Sequence, residues 1–268
     1  MSNMPGPLPD SAVSDALPRT PSFRLDGKRA LVTGAGRGLG LAAAAALAEA
    51  GATVTLAARS RNEVERAAAA IRAEDGVADS LCLDVCDVAA VRAALGEREP
   101  YEILVNNAGT NRPAFFTEVM TEDFDAIFAV NVRAAFFVAQ AVASALKKAG
   151  RPGSIIQMSS QMGHVGGERR TVYCASKHAL EGMTKAMALE LGPDRIRVNS
   201  LCPTFIETPM TRPFFADAGF RARVLDKITL GRLGRVEDIM GAVVFLASDA
   251  SALMTGASLV VDGGWTAA

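Results

Sequence analysis

From residue 28 onward, short runs of apolar and small residues alternate with longer stretches in which apolar positions recur at helical spacing. A short uninterrupted apolar run suits a strand buried on both faces, and a longer stretch suits the crossover helix that must follow it. The alternation predicts an α/β fold, a parallel sheet with helices on both faces. Its strands fall at 29–33, 53–57, 80–84, 103–106, 154–158, 197–201 and 258–261. Seven strands in one doubly wound sheet leave no room for a separate substrate domain, so residues 23–268 read as one unit that contains its own substrate pocket.

Helix ends are marked as well. The stretch 39–50 is nearly all Ala and Leu and stops at Gly51, a residue suited to a left-handed cap. Asn62 begins a second helix, and Thr121 begins a long one running to about Ala149. The helix that carries Tyr173 and Lys177 ends before Gly192-Pro193. Residues 1–22 hold Pro5, Pro7, Pro9, Pro18 and Pro21 among Ser, Asp and Gly, too little apolar surface to offset ordering, and read as a mobile extension.

Composition narrows the partners. Half of the 268 residues are hydrophobic, enough for a large core without staples. A formal net charge of −1, from 28 basic and 29 acidic residues, marks the surface for neither nucleic acid nor an anionic membrane. Small molecules or copies of the same chain remain. Cys82, Cys86, Cys174 and Cys202, with only His164 and His178 to join them, form no zinc spacing, so no metal is expected. They read as free buried thiols in a reducing compartment. No signal peptide is visible, and no apolar run free of charges reaches membrane-spanning length, so the expected location is cytoplasmic.

Chemistry concentrates at a few places. Thr33-Gly34-Ala35-Gly36-Arg37-Gly38-Leu39-Gly40 follows the first strand and opens into a helix, where glycines permit a tight turn and let backbone approach a pyrophosphate at the positive helix N-terminus. The second strand ends at Ala57-Ala58-Arg59-Ser60-Arg61, with no acid to hold a ribose 2′-hydroxyl. Arg59, with Arg37, can instead pair with a 2′-phosphate, which favours NADP(H) over NAD(H), the latter remaining possible. Asn106 and Gly109 end the fourth strand on the carboxyl edge, where ligands bind in open α/β sheets. Tyr173 and Lys177, four apart on a helix, share one face. Lowering a phenol from about 10 to about 7 takes roughly 4 kcal/mol, and an adjacent ammonium is the expected source.

Taken together, Thr33-Gly-x-x-x-Gly-x-Gly40, Asn106-Asn107-Ala108-Gly109, Asn131, Ser160 and Tyr173-x-x-x-Lys177 resemble the short-chain dehydrogenase/reductases over about 25–265. The resemblance implies a seven-stranded Rossmann-type domain, a nicotinamide cofactor, and hydride transfer to or from a carbonyl or alcohol carbon. It makes Tyr173 the general acid or base, with Lys177 lowering its pKa and holding the nicotinamide ribose. The family places its serine thirteen residues before the tyrosine, which selects Ser160 over Ser159 to polarise the substrate oxygen. Asn131 resembles the residue that fixes a water beside Lys177. Cofactor contacts are implied for Gly34, Arg37, Gly38, Leu39 and Gly40 in the turn, and for Asp84 and Val85 at the adenine. The implied set continues with Asn106, Ala108 and Gly109 near the adenosine ribose, and Pro203, Thr204, Ile206 and Thr208 after the sixth strand.

The same geometry builds a substrate pocket from Asn111-Arg112-Pro113, 161–170 and a mobile stretch, 207–220, with Arg112, Gln161 and His164 joining Ser160 and Tyr173 at the substrate. That polar lining favours a sugar, sugar acid or other polyol as the secondary alcohol or ketone. A 3-oxoacyl thioester reductase is the alternative on the same scaffold, and a cofactor-sensing binding protein is the alternative without turnover. A homotetramer is implied too, with Phe136, Phe137, Met183 and Met187 as candidate apolar contacts.

Overall fold

Successive residues of the central strands go to opposite faces. In the computed structural model, which describes residues 17–267, Ala30 and Val32 pack into one core cluster and Leu31 into another. Ile103 and Val105 divide from Leu104 in the same way, and Ile156 from Ile155. Two separate cores on one sheet explain why its strands read as unbroken apolar runs.

The strands are β1 (Arg29–Thr33), β2 (Thr53–Ala58), β3 (Ala78–Cys82), β4 (Ile103–Asn106), β5 (Gly153–Met158), β6 (Ile196–Pro203) and β7 (Ser258–Val261). All pair in parallel, in the order β3-β2-β1-β4-β5-β6-β7. Helices α1 (Gly38–Glu49), α2 (Arg61–Ala73) and α8 (Glu237–Ala247) cover one face, and α3 (Val88–Gly96), α5 (Ala135–Ala149) and α6 (Thr171–Leu191) the other. Helix α4 (Thr121–Phe128) precedes α5, and α7 (Ala218–Lys227) packs in a small cluster with Phe205, Phe215, Phe220 and Trp265. The strand order reverses between β1 and β4, which opens a crevice at their carboxyl ends.

Several expectations need correction. β3 starts and ends two residues early because its ladder runs from Val54↔Ala78 to Ala58↔Cys82, so Asp84 lies beyond the strand in a turn where its Oδ1 accepts from the Cys86 amide at 2.9 Å. The long helix begins at Thr121 but passes through a π-helical segment, Ala129–Ala134, before α5. That run, Thr121–Ala149, is by length and composition apolar enough to cross a membrane, although Arg133 interrupts it and no charge-free stretch within it reaches spanning length. Its apolar side, Val138, Val142 and Leu146, packs on the sheet as a core helix. Of the four free thiols Cys174 and Cys202 are buried, but Cys82 is exposed and Cys86 only partly covered. The stretch 207–220 contains a short 3-10 helix, Arg212–Ala216, and the start of α7. Of the proposed extension, residues 1–16 lie outside the described residues, while 17–22 are exposed and without regular structure.

Candidate active site

A cavity of about 600 Å³ runs across the carboxyl edge of the sheet. At one end it is floored by the glycine turn. Gly34 (φ +64°) and Gly38 (φ +58°) adopt left-handed backbone that other residues avoid. A side chain on Gly40 would run into the Gly34 carbonyl oxygen and the Asn107 amide, so this glycine sets how closely α1 approaches β1. Leu39 lines the cavity and Gly40 does not.

The turn is tied to β4 by Asn107, whose Nδ2 donates to the carbonyl oxygens of Thr33 (3.0 Å) and Gly34 (3.2 Å). The Thr33 hydroxyl accepts from the Asn107 and Ala108 amides at 3.0 and 3.1 Å. Asn106, which the sequence reading placed at the cofactor, instead donates to the Ala135 carbonyl at 2.6 Å and is absent from the cavity wall. The neighbouring Asn107, Ala108 and Gly109 line it.

Arg59 and Ser60 line the wall beyond β2, as do Asp84 and Val85 beyond β3. Arg59 enters no ion pair among the described residues. Arg37 does, with Glu63 at 3.3 Å. Glu63 lies in the first turn of α2, where its amide donates to the capping Ser60 Oγ at 3.3 Å. The helix start thus brings an acid to a region where the strand end supplies none.

Toward the other end stand Ser160, Tyr173 and Lys177, all in the wall. Ser160 caps the turn Gln161–Gly163, its hydroxyl accepting from the Met162 amide (3.1 Å) and donating to Gln161 Oε1 (2.9 Å). Burial pushes the Tyr173 phenol up to about 12, against a smaller opposing pull from the Ser160 hydroxyl. Burial also lowers the Lys177 ammonium to about 8. Lys177 Nζ lies 5.6 Å from the Tyr173 ring centroid and donates to the Met158 carbonyl at 2.8 Å. Contrary to expectation, burial rather than the neighbouring ammonium is the largest influence on the phenol, as it is on Lys177.

Asn131 sits in the π-helical segment beside this group. Its Oδ1 accepts from the Thr110 amide (2.8 Å) and its Nδ2 donates to the Thr110 carbonyl and to Ser176 Oγ, both at 3.0 Å. The side chain braces Thr110 and Ser176.

Two residues expected at the substrate lie elsewhere. Arg112 is outside the cavity wall, held by Asp123 at 2.6 Å. His164 turns away: its Nε2 is 3.4 Å from Cys202 Sγ and 3.8 Å from Glu181 Oε2. These three could reach a common metal ion, a juxtaposition that sequence spacing concealed. Burial opposes ionisation of Glu181, but hydrogen bonds from Ser258, Ser200 and Cys202 outweigh it and hold the carboxyl below its ordinary range. The carboxylate is thereby already satisfied. Gln161 does line the cavity, and its Nε2, with Asn111 Oδ1 and Thr204 Oγ1, is a buried polar atom with no partner among the described residues. Pro203, Ile206 and Thr208 complete this side, Thr208 lying across from Gly38.

Residues 34–266 match a family model described as enoyl-(acyl carrier protein) reductase. L-xylulose reductase of Bos taurus is 42% identical over 245 residues, covering 91% of this chain and 99% of that protein. A gluconate 5-dehydrogenase from Burkholderia cenocepacia, solved with NADP and tartrate, superposes with a TM-score of 0.89 at 40% identity, over 92% of this chain and 98% of its own. A putative 2-deoxy-D-gluconate 3-dehydrogenase from Agrobacterium tumefaciens, solved with NADP, gives a TM-score of 0.87 at 41% identity, over 92% and 99%.

Proposed function

The chain belongs to the short-chain dehydrogenase/reductases, and from that premise we propose that it is an NADP(H)-dependent oxidoreductase interconverting a secondary alcohol and a ketone on a sugar, sugar acid or polyol. The observation that carries the reading is the meeting of Ser160, Tyr173 and Lys177 in one wall of a cavity whose far end is the glycine turn.

The residues fit a dinucleotide. The glycine turn with Arg37 and Leu39 would hold the pyrophosphate at the start of α1, and Arg59 the 2′-phosphate. Asp84 and Val85 would flank the adenine, Ala108 and Gly109 the adenosine ribose, and Lys177 with Tyr173 the nicotinamide ribose. Thr204, with its unpartnered hydroxyl, would join Pro203, Ile206 and Thr208 around the carboxamide. When bound, the nicotinamide supplies or accepts the hydride. Relatives solved with NADP, and an Arg59 without an acidic partner, support NADP over NAD.

In the direction of reduction Tyr173 donates a proton to the substrate oxygen, and its raised pKa keeps it protonated at neutral pH. Ser160 donates a hydrogen bond to the same oxygen as negative charge grows on it. In oxidation Tyr173 takes the proton, a step that needs the phenol stabilised as phenolate by Lys177 and Ser160. Asn131, braced to Thr110 and Ser176, would fix a water beside Lys177.

A second reading, reduction of a 3-oxoacyl thioester, shares only the acyl-thioester class of substrate with the description of the matching family model, which names an enoyl group. Turnover measured with both coenzymes on sugars, aldonates, polyols and acetoacetyl thioesters tests the two: the first requires the polyhydroxylated compounds to win. We further read the assembly as a homotetramer paired through α5 and α6, on which Phe136 and Leu189 are exposed. Free cysteines, two of them buried, support a reducing, cytoplasmic setting.

A further inference from the structure

The substrate end of the cavity contains a charged group besides Lys177, Arg170, which also weakly favours the Tyr173 phenolate. Arg170 is only 7% exposed and lines the wall with Ser160, Gln161, Tyr173 and Phe214. Its surroundings do little to stabilise it. No carboxylate pairs with it among the described residues. Among the described residues its guanidinium makes one hydrogen bond, a long one, 3.3 Å, to the carbonyl of Arg169. The guanidinium carbon lies 5.3 Å from the Phe214 ring centroid, a modest compensation for lost hydration.

Its position adds to the cost. Arg170 is the N-cap residue of α6, a 21-residue helix with no side-chain cap, so its cation is tethered to the positive end of that helix. The preceding Arg169 adopts φ +58°, a left-handed conformation rare for a residue with a side chain, and its carbonyl accepts from the Ala114 amide at 3.2 Å. Burial lowers the Arg170 guanidinium from its ordinary value. A buried, unpaired cation held this way is unfavourable unless an anion completes it.

The anion cannot be drawn from the dinucleotide as placed above, since the glycine turn and Arg59 lie at the other end of the groove. The other cation expected at the substrate, Arg112, is already neutralised by Asp123. We propose that Arg170 receives a carboxylate of the substrate, making the enzyme one for hydroxylated carboxylic acids of the aldonate type in preference to neutral polyols. This rests on the oxidoreductase reading above and narrows it. A planar guanidinium matches a planar carboxylate through paired N–H donors.

The test is steady-state oxidation of matched pairs, D-gluconate against D-glucitol, by the full-length protein, Arg170→Met and Arg170→Lys, with a phosphorylated sugar as a third probe. A charge-assisted pair gives roughly 10- to 100-fold discrimination, so the parent should favour gluconate by about that factor in kcat/KM. Arg170→Met should bring the ratio near one, chiefly through KM, and Arg170→Lys should fall between. A parent that turns over glucitol as well as gluconate, or prefers the phosphorylated sugar, overturns the carboxylate assignment and leaves the oxidoreductase reading standing. Absence of turnover on every sugar, acid and polyol overturns both. An Arg170→Met variant that depresses gluconate and glucitol equally, shifts the pH profile, or raises KM only for the coenzyme would make Arg170 a partner of Tyr173 or the coenzyme and sink the proposal. Should Arg170→Met not fold, the parent ratio and Arg170→Lys still decide.

Discussion

Lys177 lies one helical turn from Tyr173, 5.6 Å from the centre of its ring, yet donates to the Met158 carbonyl at 2.8 Å rather than to the phenol oxygen. The two groups share a face without forming a hydrogen-bonded pair, and each is held by burial in its neutral direction. Proton transfer at Tyr173 therefore depends on what fills the cavity that both line.

Removing only the phenol oxygen tests that role. Tyr173→Phe should retain the fold and coenzyme binding while kcat falls by at least about 100-fold, the scale of a positioned acid-base group. Near-parental turnover by the purified variant would show that Tyr173 is not the proton donor.

The buried lysine should be visible in stability. Its folded pKa of about 8 lies below the usual 10.5, so between these values the unfolded chain binds more protons and stability of the coenzyme-free protein rises with pH. Above pH 10 the raised Tyr173 works the other way, since the unfolded phenol ionises first. From pH 8 to 10 the parent should gain on the order of 2 kcal/mol relative to Lys177→Met, measured by denaturant unfolding. A constant difference across that range would contradict a desolvated Lys177.

Coenzyme choice should follow Arg59. NADP(H) is expected to exceed NAD(H) in kcat/KM by roughly 10- to 100-fold, and Arg59→Ala to erode the gap more than it harms NAD(H) use. Arg37→Ala should matter less, because Glu63 already engages that guanidinium. Equal efficiency of the parent with both coenzymes would place Arg59 in solvent.

Helix approach at the turn should be intolerant of a methyl group. Gly40→Ala forces a side chain into the Gly34 carbonyl and the Asn107 amide, and is expected to cost roughly 1–3 kcal/mol together with coenzyme affinity. Thermal unfolding and a coenzyme titration read both effects, and an unchanged variant would mean that α1 can move away from β1 freely.

Association should be detectable directly. Light scattering at micromolar concentration is expected to give a tetramer, and Phe136→Asp, altering a side chain 42% exposed on α5, to dissociate it. A monomeric parent ends that reading.

By itself the sequence determined the sheet, because a strand buried on both faces must be apolar throughout, and the seven runs needed only end adjustments of up to two residues. It also determined the glycine turn and the Tyr173–Lys177 pair, since both depend on spacing within one element. Contacts between distant segments were decided only by tertiary structure. Asn107 rather than Asn106 reaches the turn because adjacent residues leave a strand end in opposite directions. Glu63 arrives from the next helix, Arg112 is captured by Asp123, and His164 turns toward Cys202. Arg170 reads in the sequence as one more polar loop residue. Its isolation exists only after the chain has buried it where no acid can follow, because solvation belongs to the folded surroundings of a side chain and not to its place in the sequence.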